Sequence, residues 1–352
     1  MSTKVPPPIF WRDEKLVLLD QRKLPLSENF LEFNTLEECH GAIKDMVVRG
    51  APCIGFTAIF GLALFAKNHP NSNWNDFQEA AKFLKSARPT AVNLEFEIDR
   101  CLSLASELYK NDNKNELQAE LVSFGQTEME LAFNRNLEMA KIAHEKLKEL
   151  FGDIKFRLQT HCNTGFLACG TLGTPLGVIS HLNSIGKLEH VWVDETRPYM
   201  QGTRLTAYEL GKEQISHQIV VEGAASYLMR EKLVDAIFVG ADRIVANGDT
   251  ANKVGTSGLA IVAKYYKVPF FVVAPTSSFD LTIKSGNDIP IELRNQDEIL
   301  KFNNTQLAPH GSQSLNPSFD VTSSDLITGI ICENGLISPD YLKNVEKIVG
   351  RK

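Results

Sequence analysis

Phe156-Arg157-Leu158-Gln159-Thr160-His161-Cys162-Asn163-Thr164-Gly165 reads as a short extended run that ends in a polar turn of small residues. Similar β-rich runs follow at Val191–Val193, Gln218–Val221, Ala236–Val239 and Phe270–Val273, each parted from the next by an amphipathic stretch of helical length. Strands alternating with helices build βαβ units, and those units make a parallel sheet covered by helices on both faces. The fold class is therefore α/β, with a doubly wound parallel sheet from about residue 151 onward. In such sheets, ligands bind outside the carboxyl ends of the strands. The polar residues that follow these runs are His161-Cys162-Asn163, Asp194-Glu195-Thr196-Arg197, Glu222-Gly223, Gly240-Ala241-Asp242-Arg243 and Ala274-Pro275-Thr276. They are expected on one rim, where several titratable groups and glycine-bearing loops make a small-molecule site.

Upstream the pattern changes. Short extended pieces around Phe10–Trp11 and Leu16–Leu19, with a turn at Asp20–Pro25, predict a small β element. From about Thr35 to Glu149 apolar residues recur at three- and four-residue spacing, most clearly in Phe77–Ser86, Glu95–Tyr109 and Glu116–Leu150, which predicts helices. Punctuation falls at Asn71–Asn75 and Ala87-Arg88-Pro89-Thr90. The division expected is a mainly helical domain over 1–150 and a sheet domain over 151–352. The 352 residues, 43% hydrophobic and 23% charged, suit two such domains and exclude low-complexity and disordered classes.

Lys plus Arg number 37 against 43 Asp plus Glu, a net charge of −6. Such a chain has no general electrostatic attraction for nucleic acid or anionic membranes. The amino terminus lacks the apolar core of a signal peptide, and the stretch Cys53–Ala66 reads as too short to span a bilayer. The six cysteines form no CxxC pair and no zinc-type array, so a cytoplasmic protein with reduced thiols and no metal is expected.

Cys162 follows a strand and precedes small residues. Its thiol either lies near backbone N–H groups that favour the thiolate, or is a buried core cysteine. Asp242, just past another strand, is either a rim acid or base, or a carboxylate paired to Arg243 or capping the next helix. Ala246–Thr256 is the densest polar loop. It lacks the Gly-Lys-Ser/Thr of a P-loop and the alternating acids of an EF-hand, leaving an anion-holding role for Asn252 and Lys253, or a surface turn. Arg49-Gly50-Ala51-Pro52 and Ala87-Arg88-Pro89-Thr90 each set an arginine, suited to bidentate phosphate binding, beside a stiff turn. No GxGxxG follows a strand, and GxSxG and HExxH are missing, which counts against dehydrogenase, esterase and metalloprotease chemistry.

These segments, that of Arg88 continued through Ala91-Val92-Asn93-Leu94, with Asn163-Thr164-Gly165, Gln201-Gly202-Thr203-Arg204-Leu205-Thr206, Asn247-Gly248-Asp249 and Phe319-Asp320-Val321-Thr322, make the chain resemble the methylthioribose-1-phosphate isomerases. Their wider superfamily includes ribose-1,5-bisphosphate isomerases and the regulatory subunits of a eukaryotic initiation-factor exchange factor. The resemblance runs in order from about Trp11 to Gly335. It implies a Rossmann-like carboxyl-terminal domain, a homodimer, and conversion of 5-methylthioribose 1-phosphate to 5-methylthioribulose 1-phosphate in methionine salvage, without a cofactor. Carried over by position, it implies that Cys162 is the catalytic thiol and Asp242 the proton donor, and that Arg49, Gly50, Ala51, Arg88, Gln201, Asn252 and Lys253 hold the sugar phosphate. Cys169-Gly170-Thr171-Leu172-Gly173-Thr174-Pro175 departs from the Tyr-Gly-Thr-Ala that the family leads one to expect. Two alternatives accompany this reading. One is an isomerase of 5-deoxyribose 1-phosphate or ribose 1,5-bisphosphate. The other is a non-catalytic subunit that senses a phosphorylated metabolite, which the joint presence of Cys162 and Asp242 disfavours.

Overall fold

The computed structural model describes residues 3–88, 92–302 and 305–350. The chain divides into two compact units, one of residues 1–137 and 164–177, the other of 138–163 and 178–352.

The first unit opens with an antiparallel meander of Ile9–Arg12, Lys15–Leu19 and Phe30–Phe33. Helices follow at Leu36–Lys44, Ala51–Asn68, Trp74–Lys85, Val92–Lys110 and the first part of Leu117–Phe151. Two of their starts are fixed by capping boxes, Thr35 with Glu38 and Asn73 with Asp76, which satisfy backbone N–H groups that no helical carbonyl reaches. Ala51–Asn68 corrects the sequence reading of Cys53–Ala66. The helix has 18 residues and is long and apolar enough to cross a membrane, yet 67% of it is buried inside the fold. Ile54, Phe56, Ile59, Phe60, Leu62, Ala63 and Leu64 are all buried. A helix apolar all round belongs in a core, and this one is the core of its unit.

The second unit holds a seven-stranded sheet in the order Gly335–Ile337, Gly329–Cys332, Phe270–Val273, Ala236–Val239, Phe156–Thr160, Leu188–Asp194, His217–Val220. Every neighbouring pair is parallel except the hairpin of Gly329–Cys332 with Gly335–Ile337. This is the predicted Rossmann-like sheet. The chain starts in the middle, at Phe156–Thr160, winds outward to one edge, then returns to Ala236–Val239 and winds outward the other way. The order reverses between Phe156–Thr160 and Ala236–Val239, where Thr160 is level with Phe238. Ligands of such sheets bind at that switch point, because the connections on its two sides depart in opposite directions and open a crevice. Ala236–Val239, Phe270–Val273 and Gly329–Cys332 are buried throughout, as strands covered on both faces must be.

A smaller sheet, in the order Phe279–Asp280, Arg243–Val245, Thr250–Lys253, Phe319–Thr322, was not foreseen. It turns Thr250–Lys253, in the middle of the supposed polar loop Ala246–Thr256, into a strand. Thr250 and Asn252 are buried, and the stretch is a strand paired on both sides.

Candidate functional site

Cys162 leaves the central strand two residues past Thr160, and Asp242 leaves its neighbour four residues past Phe238, so the two flank the switch point. Thr160 Oγ1 donates to the Phe238 carbonyl at 2.9 Å and locks the two strand ends together. Cys162 is 8% exposed and lies in the left-handed region, φ +66°. That conformation costs a residue with a Cβ about 1–2 kcal/mol, so something must hold it. Its N–H donates to Thr196 Oγ1 (2.8 Å), and its carbonyl accepts from Thr206 Oγ1 (2.6 Å). Thr196, itself at φ +62°, donates in turn to the Asp194 carbonyl (3.0 Å). Asn163 donates to Glu209 Oε1 (2.8 Å). Both sides of the Cys162 peptide are thus held by the segment that follows Leu188–Asp194.

Beside this turn lies a charge cluster whose centre, His161 with Asp194, is fully buried. His161 Nδ1 is 3.0 Å from Asp194 Oδ2, and its Nε2 is 2.9 Å from the Val254 carbonyl. The other Asp194 oxygen accepts from Gln159 Nε2 at 2.7 Å. Burial works against charge on His161. The Asp194 hydrogen bond and charge, the Glu222 charge and the Val254 carbonyl outweigh it, so its pKa stands above the usual value. Burial pushes the Glu222 and Asp320 carboxyl groups upward. Glu222 accepts from the Arg197 backbone N–H (3.2 Å). Gly255 packs into this cluster. At φ +104°, a Cβ there would fall 2.8 Å from His161 Cε1 and 3.2 Å from Glu222 Oε1.

Asp242 is partly exposed, and its N–H donates to the Ala251 carbonyl (2.9 Å). The strand Arg243–Val245 follows it, not a helix, so helix capping is not its role. Arg243 forms an ion pair with Asp280 at 3.3 Å. Asn252 donates to Thr256 Oγ1 (3.0 Å), and the Lys253 ammonium donates to the Ser318 carbonyl (2.8 Å) over the Phe319 ring. The N–H groups of Gly255 and Ser257 are taken by the Asp320 carboxylate (2.8 and 3.1 Å), which caps the helix Thr256–Tyr266. Gln201 is buried, and its Oε1 has no hydrogen-bond partner among the described residues. Arg197 donates to the Pro198 and Ile299 carbonyls, and Arg204 to the Tyr199 carbonyl.

The remaining predicted residues belong to the first unit. Arg49 is buried, and Gly50 and Ala51 begin the helix Ala51–Asn68 with no side-chain cap. Gly50 is required there. Its φ is +92°, and a Cβ would come within 2.5 Å of Ala168 backbone atoms. Arg88 is partly buried, and Pro89, Thr90 and Ala91 of its motif lie outside the described residues. Asn93, in the same motif, is buried with its Nδ2 lacking a hydrogen-bond partner among the described residues. Among the described residues, no three His, Cys, Asp or Glu side chains form a metal-ligand set. The sequence reading singled out no role for His161, Gln159, Thr196 or Asp320. Their only signal was position, each next to a strand end or a motif residue.

Residues 47–339 match a family described as the initiation factor 2 subunit family. A methylthioribose-1-phosphate isomerase 2 of Pseudothermotoga lettingae is 45% identical over 344 residues, 97% of each chain. The crystal structure of 5-methylthioribose 1-phosphate isomerase from Pyrococcus horikoshii OT3 superposes with a TM-score of 0.90 at 38% identity, covering 99% of this chain and 97% of that one. A structure described as translation initiation factor eIF-2B, subunit delta, from A. fulgidus superposes with a TM-score of 0.83 at 35% identity, covering 98% of this chain and all (100%) of that one.

Proposed function

The chain belongs to the initiation factor 2 subunit family and, within it, to the methylthioribose-1-phosphate isomerases, and from that premise we propose that it converts 5-methylthioribose 1-phosphate to 5-methylthioribulose 1-phosphate, with Cys162 and Asp242 as the reacting pair. The observation that carries the assignment of the pair is their placement on either side of the switch point of the sheet.

The chemistry asks for such a pair. The anomeric oxygen carries phosphate, so the sugar has no free aldehyde to enolise. Its ring must open by cleavage of the bond between C1 and the ring oxygen. Asp242, entering protonated, gives its proton to that oxygen as the bond breaks. A hydrogen then moves from C2 to C1, and the proton of the C2 hydroxyl returns to the Asp242 carboxylate as the ketone forms. The acid is regenerated and no oxidant is consumed. Cys162 either ferries the C2 hydrogen as a proton or lines the path of a direct hydride shift. Exchange with deuterated solvent separates these routes, since only the ferried proton washes out.

Substrate-holding roles for Arg49, Gly50, Ala51 and Arg88 of the first unit, and for Gln201, Asn252 and Lys253 of the second, complete the proposal. Guanidinium groups and the start of an uncapped helix suit a phosphate. The buried Gln201 Oε1 suits a sugar hydroxyl, because an acceptor left dry is costly unless a ligand supplies the donor. A cytoplasmic homodimer belongs to the same proposal, tested by sedimentation and cell fractionation.

The deciding experiment is ketose formation from 5-methylthioribose 1-phosphate, beside 5-deoxyribose 1-phosphate and ribose 1,5-bisphosphate. Highest turnover with the methylthio sugar, lost in Cys162→Ala and Asp242→Asn, is the expected result. Preference for another of the three sugars moves the substrate and keeps the chemistry. Tight binding without turnover of any of them overturns the catalytic roles in favour of a metabolite sensor.

A further inference from the structure

The hydrogen-bond inventory around His161 leaves little choice of protonation state. A neutral imidazole has one N–H and one bare nitrogen. Here both nitrogens face acceptors. Nε2 meets the Val254 carbonyl, which carries no proton, so Nε2 must donate. Nδ1 meets Asp194 Oδ2, and the other Asp194 oxygen already accepts from Gln159. The ring is 1% exposed, as is Asp194, so water cannot stand in for either partner. The charged groups that face the ring are Asp194, Glu222 and Asp320, all acidic.

We infer that His161 is a positioning residue for the proposed isomerisation, a buried imidazolium that clamps the Cys162 turn to the end of strand Leu188–Asp194 and to the Val254 backbone. This inference rests on the proposed reaction for its kinetic consequence, but not for its structural content. The connections are specific. Asp194 begins the segment whose Thr196 and Thr206 hold the Cys162 peptide, and Val254 directly follows Asn252 and Lys253. One cation therefore fixes the spacing between the thiol's turn and the strand that presents two of the proposed substrate ligands. A neutral histidine would hold one of these partners and release the other.

Three measurements test it. In protein carrying ¹⁵N-labelled histidine, held at about pH 8.5 and so roughly two units above the ordinary histidine value, both ring nitrogens of His161 are expected to carry protons. The signals are assigned by their loss in His161→Gln. A bare Nδ1 overturns the inference whatever the substrate proves to be, and this readout needs no turnover. In Asp194→Asn the clamp loses its counter-charge, so kcat is expected to fall as pH rises through the histidine range, about 6.5, where the wild-type enzyme does not respond. A pH profile parallel to wild type overturns it. In His161→Gln, kcat is expected to drop about 100-fold, the scale of an ångström-sized misplacement, with KM changed less than about threefold. An unchanged kcat removes the positioning role. If no sugar phosphate is turned over even by wild type, the proposed function fails and the nitrogen resonances still decide the protonation state.

Discussion

Gly202→Ala and Gly211→Ala place the same methyl group nine residues apart in one helical stretch, and the structure gives them opposite signs. At Gly202 the new Cβ would lie 1.7 Å from the Asp194 carbonyl oxygen, where ordinary contact begins near 3.4 Å. The obstacle is backbone, so no side-chain rotation relieves it, and the cost falls at or above the upper end of the usual overpacking range, about 3 kcal/mol. For a unit of this size each kcal/mol is worth about 2–4 °C, so melting is expected to drop by about 6–12 °C. The shift also pushes on Asp194 and Thr196, which hold His161 and the Cys162 N–H. An accompanying loss of about 100-fold in kcat is therefore expected from the folded protein. At Gly211, exposed in the helix Ala207–Lys212, nothing lies within 4 Å. Alanine there removes the glycine entropy penalty, about 0.5–1 kcal/mol, so melting should rise by about 1–4 °C with kcat unchanged. Calorimetry and steady-state kinetics on the two proteins check the pair. A Gly202→Ala protein that melts and turns over like wild type would refute the close approach and the coupling drawn from it.

Burial raises the Glu222 pKa above its ordinary 4.5, so the folded state binds this proton more tightly than the unfolded state does. The stability linked to it is present below 4.5 and is lost as pH rises through the folded value. Glu222→Gln should therefore gain in melting temperature relative to wild type as pH climbs from about 4.5 toward neutrality. A constant difference across that range would remove the burial argument. In the helical unit, Arg100 donates to Glu128 (2.6 Å) and Glu97 (3.1 Å), both largely buried, while Arg135 lies 3.5 Å from Glu128. Arg100→Ala strands buried carboxylates and should cost about 3 kcal/mol by denaturant titration. Less than about 1 kcal/mol would mean that Arg135 carries the network. Burial pushes the Cys39 and Cys101 thiols well up and Cys332 to about 11. Peptide mapping after alkylation near neutral pH should find all three unmodified until denaturant is added, because the thiolate is the reactive form.

The elements legible in the sequence are those whose pattern states their environment. Phe156–Thr160, Ala236–Val239 and Phe270–Val273 are compact β-prone runs closed by polar turns, and each strand lies where it was read. Gly329–Cys332 is as buried as they are. It opens on glycine, and its partner returns after only two residues, so no helix-length stretch followed to announce it. Thr250–Lys253 was hidden for the opposite reason. Thr-Ala-Asn-Lys looks like a loop, but Thr250 donates to the Gly248 carbonyl and Asn252 to Thr256, and side chains satisfied in this way can be buried in a strand. For the site, the order of strand ends along the chain was enough to gather His161, Asp194, Glu222 and Asp242 on one rim. Which of them pair was not. His161 meets Asp194 across 33 positions and Val254 across 93, and Arg243 meets Asp280 on another strand. Such pairings depend on register, which a single chain does not display.

The strain at Cys162 separates what the position does for stability from what it does for chemistry. A cysteine at φ +66° facing a threonine at φ +62° is held against its own preference by hydrogen bonds to Thr196 and Thr206, with Thr196 itself anchored on the Asp194 carbonyl. Geometry of this kind persists only where the surroundings over-determine it. If stability alone governed the position, glycine would serve it better than alanine. Relief of about 1–2 kcal/mol of left-handed strain exceeds the glycine entropy penalty of about 0.5–1 kcal/mol. Cys162→Gly should therefore melt about 1–4 °C above Cys162→Ala, and under the proposed function both should be inactive. The ordering of the two melting temperatures tests the backbone, and the shared loss of turnover tests the thiol. If alanine melts higher, the turn is not strained as drawn. If glycine melts higher while either variant keeps its activity, the strain is real and the sulfur is not what it serves.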